Sequence, residues 1–104
     1  MANELQWHEV CDADELEMED VVEFENGGNV YAVYRIKSGC YATGGLCPHE
    51  QARLADGLVT GEFVECPKHN SRFHIPTGKV KKVPAREDLA TYPVREENGK
   101  LYIG

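Results

Sequence analysis

Two short segments of this chain each pair a cysteine with a histidine: Cys47-Pro48-His49 and, after sixteen intervening residues, Cys66-Pro67-Lys68-His69. In both, a proline follows the cysteine, which removes one backbone N–H and restrains φ beside the thiol. The surrounding stretch, Gly44 to Pro84, has short and interrupted apolar alternation, yet it holds two of the four cysteines and three of the four histidines. A weakly hydrophobic stretch this long needs something besides a core to order it. Thiols and imidazoles set in pairs make a metal the natural candidate.

The flanking sequence reads as β-structure punctuated by turns. Leu5–Val10 is a candidate first strand. Val21–Glu25 alternates and then meets Asn26-Gly27-Gly28, a strong hairpin signal. Asn29–Ile36 places Val30, Ala32, Tyr34 and Ile36 on one face with Tyr31 and Val33 on the other, a near-continuous apolarity that predicts an interior strand. Lys37-Ser38-Gly39 turns into Cys40–Thr43, and Ala90–Glu96 and Lys100–Ile103 flank Glu97-Asn98-Gly99, a second hairpin. Helical signal is confined to one turn around Asp14–Met18. The expectation is an all-β antiparallel sandwich or barrel in a single domain spanning residues 1–104, with no linker or repeat inside it.

Charge excludes several function classes. The formal net charge is −7, and residues 1–30 hold ten acids and no Lys or Arg. Binding a phosphate backbone needs clustered bases, so nucleic acid is excluded as a partner. No apolar run approaches the length of a membrane span. The N-terminus has neither the basic start nor the apolar stretch of a secretory signal, so the expected location is cytoplasmic. No nucleophile–base pair and no glycine-rich phosphate loop is present, so no residue is assigned a catalytic role and the protein is not expected to be an enzyme.

The paired residues themselves admit three readings. They could be two buried structural thiols with two surface histidines. They could form a Cys₂His₂ zinc site, although zinc pairs usually separate Cys-Cys from His-His whereas both pairs here are mixed. Or they could hold a two-iron, two-sulfide cluster in which two thiolates bind one iron and two imidazoles the other.

The pattern Cys47-x-His49-x₁₆-Cys66-x-x-His69 resembles the signature of Rieske iron–sulfur proteins. Beyond the ligands, Tyr41-Ala42-Thr43, Leu54-Ala55-Asp56-Gly57, Gly61, Phe73, Thr77-Gly78, Pro84-Ala85, Leu89, Tyr92-Pro93-Val94 and Gly99-Lys100-Leu101-Tyr102-Ile103 are similar to the small Rieske ferredoxins of bacterial ring-hydroxylating oxygenase systems, over nearly the full length. The resemblance implies a Rieske fold. A base domain (1–43 and 76–104) would carry an inserted cluster-binding subdomain at about 44–75. One Rieske-type 2Fe-2S cluster would be held by Cys47 and Cys66 on the inner iron and His49 and His69 on the outer.

It also implies a soluble, monomeric one-electron carrier in aromatic hydrocarbon catabolism. Electrons would pass from an NAD(P)H-dependent flavin reductase to a terminal oxygenase. The rival of the same family is a small subunit of a nitrite-reductase-like complex. Ser71 falls where high-potential relatives place a hydroxyl donor to a sulfide, and Pro84 where a proline-bearing loop shields the cluster. Two cysteines that tie the loops together in those relatives are replaced by the stretch Glu50-Gln51-Ala52 and by Lys68, and Phe73 stands in place of a donor tyrosine. These departures place the potential nearer roughly −150 than +300 mV. Cys11 and Cys40 are read as ordinary thiols, and His74 as a strand residue with a solvated imidazole.

Overall fold

In the computed structural model, residues 7–48, 51–68, 71–82 and 87–104 are described. They form three antiparallel sheets. The first joins β1 (His8–Asp12), β11 (Lys100–Ile103) and β10 (Val94–Glu97), in that order. The second runs β2 (Asp20–Asn26), β3 (Asn29–Ile36), β4 (Gly39–Gly44), β9 (Thr91–Tyr92). The third is contiguous in sequence: β5 (Leu58–Thr60), β6 (Phe63–Glu65), β7 (Arg72–His74), β8 (Val80–Lys82). Among the described residues no helix is long and apolar enough to cross a membrane.

Both expected hairpins form for the local reason that predicted them. Asn26 pairs with Asn29 across Gly27 and Gly28, whose φ values are +61° and +82°. Glu97 pairs with Lys100 across Asn98 and Gly99, at +54° and +78°. Two successive residues at positive φ make the tight turn whose twist matches that of the flanking strands.

β3 divides the molecule. Its residues Ala32, Tyr34 and Ile36 face one buried cluster with Leu54, Val59, Val64, Phe73, Ile75 and Leu89. Val33 faces another with Ala13, Leu16, Ala42, Leu101 and Ile103. Strand side chains alternate between faces, so one strand serves two cores. The first core joins the second sheet to the third, and the second joins it to the first sheet. The stretch between Gly44 and Pro84 is therefore ordered in part by hydrophobic burial, which its broken alternation concealed. Its strands are three residues long, and in β5, β6 and β7 one side chain each, Val59, Val64 and Phe73, is buried.

Three expected boundaries shift. The first strand is described as His8–Asp12 and extends past the expected Val10, because it pairs with β11 as far as Asp12↔Lys100; positions before residue 7 lie outside the described residues. The helical turn is a 3₁₀ turn at Ala13–Glu15, where the Glu15 carboxylate accepts from the Asp12 N–H. Arg35 holds it from β3, its Nη2 donating to the Ala13 carbonyl at 2.9 Å and its Nε to that of Leu16. The expected strand Ala90–Glu96 is two strands in different sheets. Tyr92 pairs with Ala42, Val94 pairs with Ile103, and Pro93 between them has no N–H to continue a ladder.

Candidate metal centre

Two loops of equal length leave the sheets in the same way. Leu46 bridges Arg53 and brackets residues 47–52; Glu65 pairs with Arg72 and brackets 66–71. In each loop the cysteine comes first, and its backbone N–H donates five residues forward: Cys47 to the Ala52 carbonyl at 2.8 Å, Cys66 to the Ser71 carbonyl at 2.7 Å. The sequence carries a faint trace of this repeat, Cys-Pro at the start and Arg at the seventh place of both. Its closing carbonyls belong to the backbone and leave no signature. The first loop is tightened further by the Gln51 N–H, which donates to the Cys47 carbonyl at 2.7 Å with Gln51 at φ +59°. A glutamine in that conformation is uncommon.

The two loops meet through Gly57. A Cβ there would lie 2.1 Å from the carbonyl oxygen of Glu65, the residue just before Cys66. The chain leaving the first loop thus rests directly on the strand that enters the second, an approach only glycine permits.

Cys47 and Cys66 are 0% and 1% exposed and belong to the same buried cluster as Tyr34, Phe73 and Ile75. No disulfide joins them. Two thiols brought into one dry cluster by two matched loops fit a soft metal or an iron–sulfur unit held through thiolates. Ser71, fully buried, sits at the end of the second loop. His49, His69 and Pro84 lie outside the described residues.

His74 differs from expectation. It is in β7, but its imidazole is engaged, with Nδ1 2.9 Å from Thr77 Oγ1 and Nε2 2.9 Å from Glu62 Oε1. It clamps the β5–β6 turn to the one before β8. Beside it the Arg72 guanidinium lies over the Phe63 ring, 5.1 Å from its centre.

Cys11 and Cys40 sit half-buried against the second core, away from the loops. Burial raises both thiols above their ordinary value; the Glu15 and Asp12 carboxylates add to the effect at Cys11, while Arg35 offsets part of it at both. Raised thiols are poor nucleophiles. At about pH 8, just below the ordinary thiol range, iodoacetamide should label Cys11 and Cys40 of the folded protein several-fold more slowly than in the denatured chain. Equal rates by peptide mass mapping would contradict the shift.

An all-β fold with two buried thiols on paired loops fits the class of iron–sulfur proteins. Residues 6–93 match the Rieske 2Fe-2S domain, and the chain belongs to that family, whose cofactor is one two-iron, two-sulfide cluster. It is 37% identical over 97 residues to the ferredoxin component of the naphthalene 1,2-dioxygenase/salicylate 5-hydroxylase systems of Ralstonia sp, covering 93% of each chain. It superposes with a TM-score of 0.89 and 31% identity on a chain from the complex of reduced oxygenase and oxidised ferredoxin in carbazole 1,9a-dioxygenase, covering 93% of this chain and 91% of that one. A nitrite reductase small subunit from Mycobacterium tuberculosis matches 94% of this chain with a TM-score of 0.83 and 23% identity, which is a likeness of fold alone.

Proposed function

We propose that this protein is a one-electron carrier of a ring-hydroxylating oxygenase system. It would accept an electron from an NAD(P)H-dependent flavin reductase and deliver it to a terminal oxygenase. The observation that carries the reading is the end-to-end similarity to a dioxygenase ferredoxin component, 93% of both chains at 37% identity.

A cluster of this type supplies reversible one-electron exchange when bound. Cys47 and Cys66 would hold the inner iron as thiolates, and their burial keeps water from that side. His49 and His69 would hold the outer iron, and Pro84 would shield a further side. The exposed Gln51, Pro67 and Lys68 would lie on the docking tip, together with His49, Glu50 and Asn70. The division into a base and an inserted cluster-binding part belongs to this reading. The contiguous third sheet supports it, and an inserted part that took in the whole of that sheet would run past residue 75 to β8. The carrier would work as a cytoplasmic monomer.

Rapid mixing of the reduced holoprotein with purified dioxygenase should show oxidation of the carrier at a rate proportional to oxygenase concentration. Failure to exchange electrons with any such oxygenase, together with co-elution of native protein with a large reductase subunit, would overturn the proposal in favour of the subunit reading.

Two substitutions test how the site sets its potential. Ser71→Ala removes a buried hydroxyl at the end of the second loop and should lower the midpoint. Phe73→Tyr adds a phenol in the same fully buried cluster as both cysteines and should raise it, since hydrogen bonds to cluster sulfur raise potential. Protein-film voltammetry showing both variants at the wild-type midpoint would contradict this account.

A further inference from the structure

On the face of the second sheet that packs beneath the cysteine loops, Tyr34 and Thr43 lie diagonally across β3 and β4, where Ala32 pairs with Thr43 and Tyr34 with Tyr41. Both side chains are completely buried. The Tyr34 hydroxyl is 2.8 Å from Thr43 Oγ1, which in turn is 2.8 Å from the carbonyl oxygen of Gly44. A carbonyl only accepts, so the single hydroxyl proton of Thr43 goes to Gly44. Thr43 Oγ1 must then accept, and Tyr34 is the donor. Burial pushes the Tyr34 phenol well above its ordinary range, so it keeps the proton it donates.

The chain has a defined direction: phenol to hydroxyl to backbone carbonyl. It ends on the peptide unit between Gly44 and Gly45, whose other side is held as well, because the Gly45 N–H donates to the Val30 carbonyl at 2.8 Å. The Gly44 N–H goes to Ala90 at 2.9 Å, and the Gly45 carbonyl accepts from Leu54 at 2.9 Å. This peptide plane is where the chain leaves β4. Cys47 follows two residues after Gly45, and Leu54 lies just beyond the loop it opens.

We propose that Tyr34 and Thr43 are positioning residues for the first cysteine loop, their relay fixing the Gly44–Gly45 peptide and through it the direction in which Cys47 is presented. The proposal rests on Cys47 being a cluster ligand.

The test uses the holoprotein carrying Thr43→Val, Thr43→Ser, Tyr34→Phe and the Tyr34→Phe/Thr43→Val double change. Each is measured by hydrogen–deuterium exchange of peptides covering residues 44–54, by midpoint potential and by the g-values of the reduced cluster. Thr43→Val frees the Gly44 carbonyl and leaves a buried phenol without an acceptor. It should speed exchange in the loop stem about tenfold and shift both the g-values and the midpoint, because a looser loop presents Cys47 differently and admits water. Thr43→Ser keeps the hydroxyl and should restore all three readouts. Tyr34→Phe should give a smaller change, and the double variant should be no worse than Thr43→Val alone, since it removes the orphaned phenol too.

Wild-type exchange, g-values and midpoint in Thr43→Val, with only a lower melting temperature, would show a packing role and overturn the proposal. Should Thr43→Val fail to fold, unchanged readouts in Tyr34→Phe overturn it equally. The underlying ligand reading fails separately: Cys47→Ser protein that retained full iron and acid-labile sulfide would refute it whatever the Thr43 variants show.

Discussion

Cys66→Ser protein is expected to purify colourless, with iron and acid-labile sulfide at background. Cys66 is 1% exposed, in a cluster otherwise lined by Phe73, Val64, Ile75 and Leu54. A thiolate there is a soft anionic ligand; a serine hydroxyl is harder and stays protonated at neutral pH. The replacement would also leave a polar group in a dry site, a cost of about 1–3 kcal/mol when nothing satisfies it. Because ligand binding and folding share one free energy in small metal-dependent domains, loss of the cluster should lower the melting temperature as well. Cys40→Ser is the control. That thiol is half-buried against the other core, and its variant should keep full iron and sulfide. Metal and sulfide analysis of the two variants checks the pair. Normal cluster content in Cys66→Ser, or one zinc and no sulfide in the parent protein, would remove the basis of the electron-carrier reading.

Gly57→Ala should be the most damaging single methyl added to the chain near the loops. The φ there is −88°, which any residue adopts, so the damage comes from contact and not from backbone strain. The new Cβ would sit 2.1 Å from the Glu65 carbonyl oxygen and 3.2 Å from that of Leu54. Both obstacles are backbone, and the Glu65 carbonyl belongs to β6 immediately before Cys66, so neither can swing aside as a side-chain tip would. Relief requires separating the two loops. Overpacking of this kind costs about 3 kcal/mol, and at roughly 4–8 °C per kcal/mol for a domain this size the melting temperature should fall by roughly 12–24 °C. Iron retention should fall with it. Gly61 tests the opposite case. Its φ is +61° and a Cβ added there would meet nothing within 4 Å, so Gly61→Asn, which tolerates that φ, should change stability little. Calorimetry of both variants decides it, and a Gly57→Ala melting temperature within a few degrees of the parent would mean the loops do not bear on each other there.

Both effects depend on contacts made by strand pairing and packing and not by immediate chain neighbours, and this separates what could be read from the chain from what could not. The Gly27-Gly28 and Asn98-Gly99 turns were legible because the positive φ they need is a property of the residues themselves. So was the double-sided burial of β3, eight residues long with enough alternation to declare two faces. The third sheet was not legible, because three-residue strands carry almost no periodicity. The span Ala90–Glu96 misleads for a related reason: Pro93 reads as part of one strand, when its missing N–H is where the chain changes sheets. His74 reads as solvated because its partners Glu62 and Thr77 come to it only through the pairing of β6 with β7 and the turn before β8.

The candidate centre divides along the same line. Residue type and spacing alone determined which side chains are suited to a mixed thiolate–imidazole site, since ligand chemistry resides in single residues and short loops. Only the tertiary structure decided that Cys47 and Cys66 share one dry cluster, that Gly57 seats one loop against the other, and that Tyr34 reaches Thr43 beneath them. Those are close approaches made across paired strands and between loops, set by burial and by backbone hydrogen bonds that any residue can make, and so no pattern of residue types announces them.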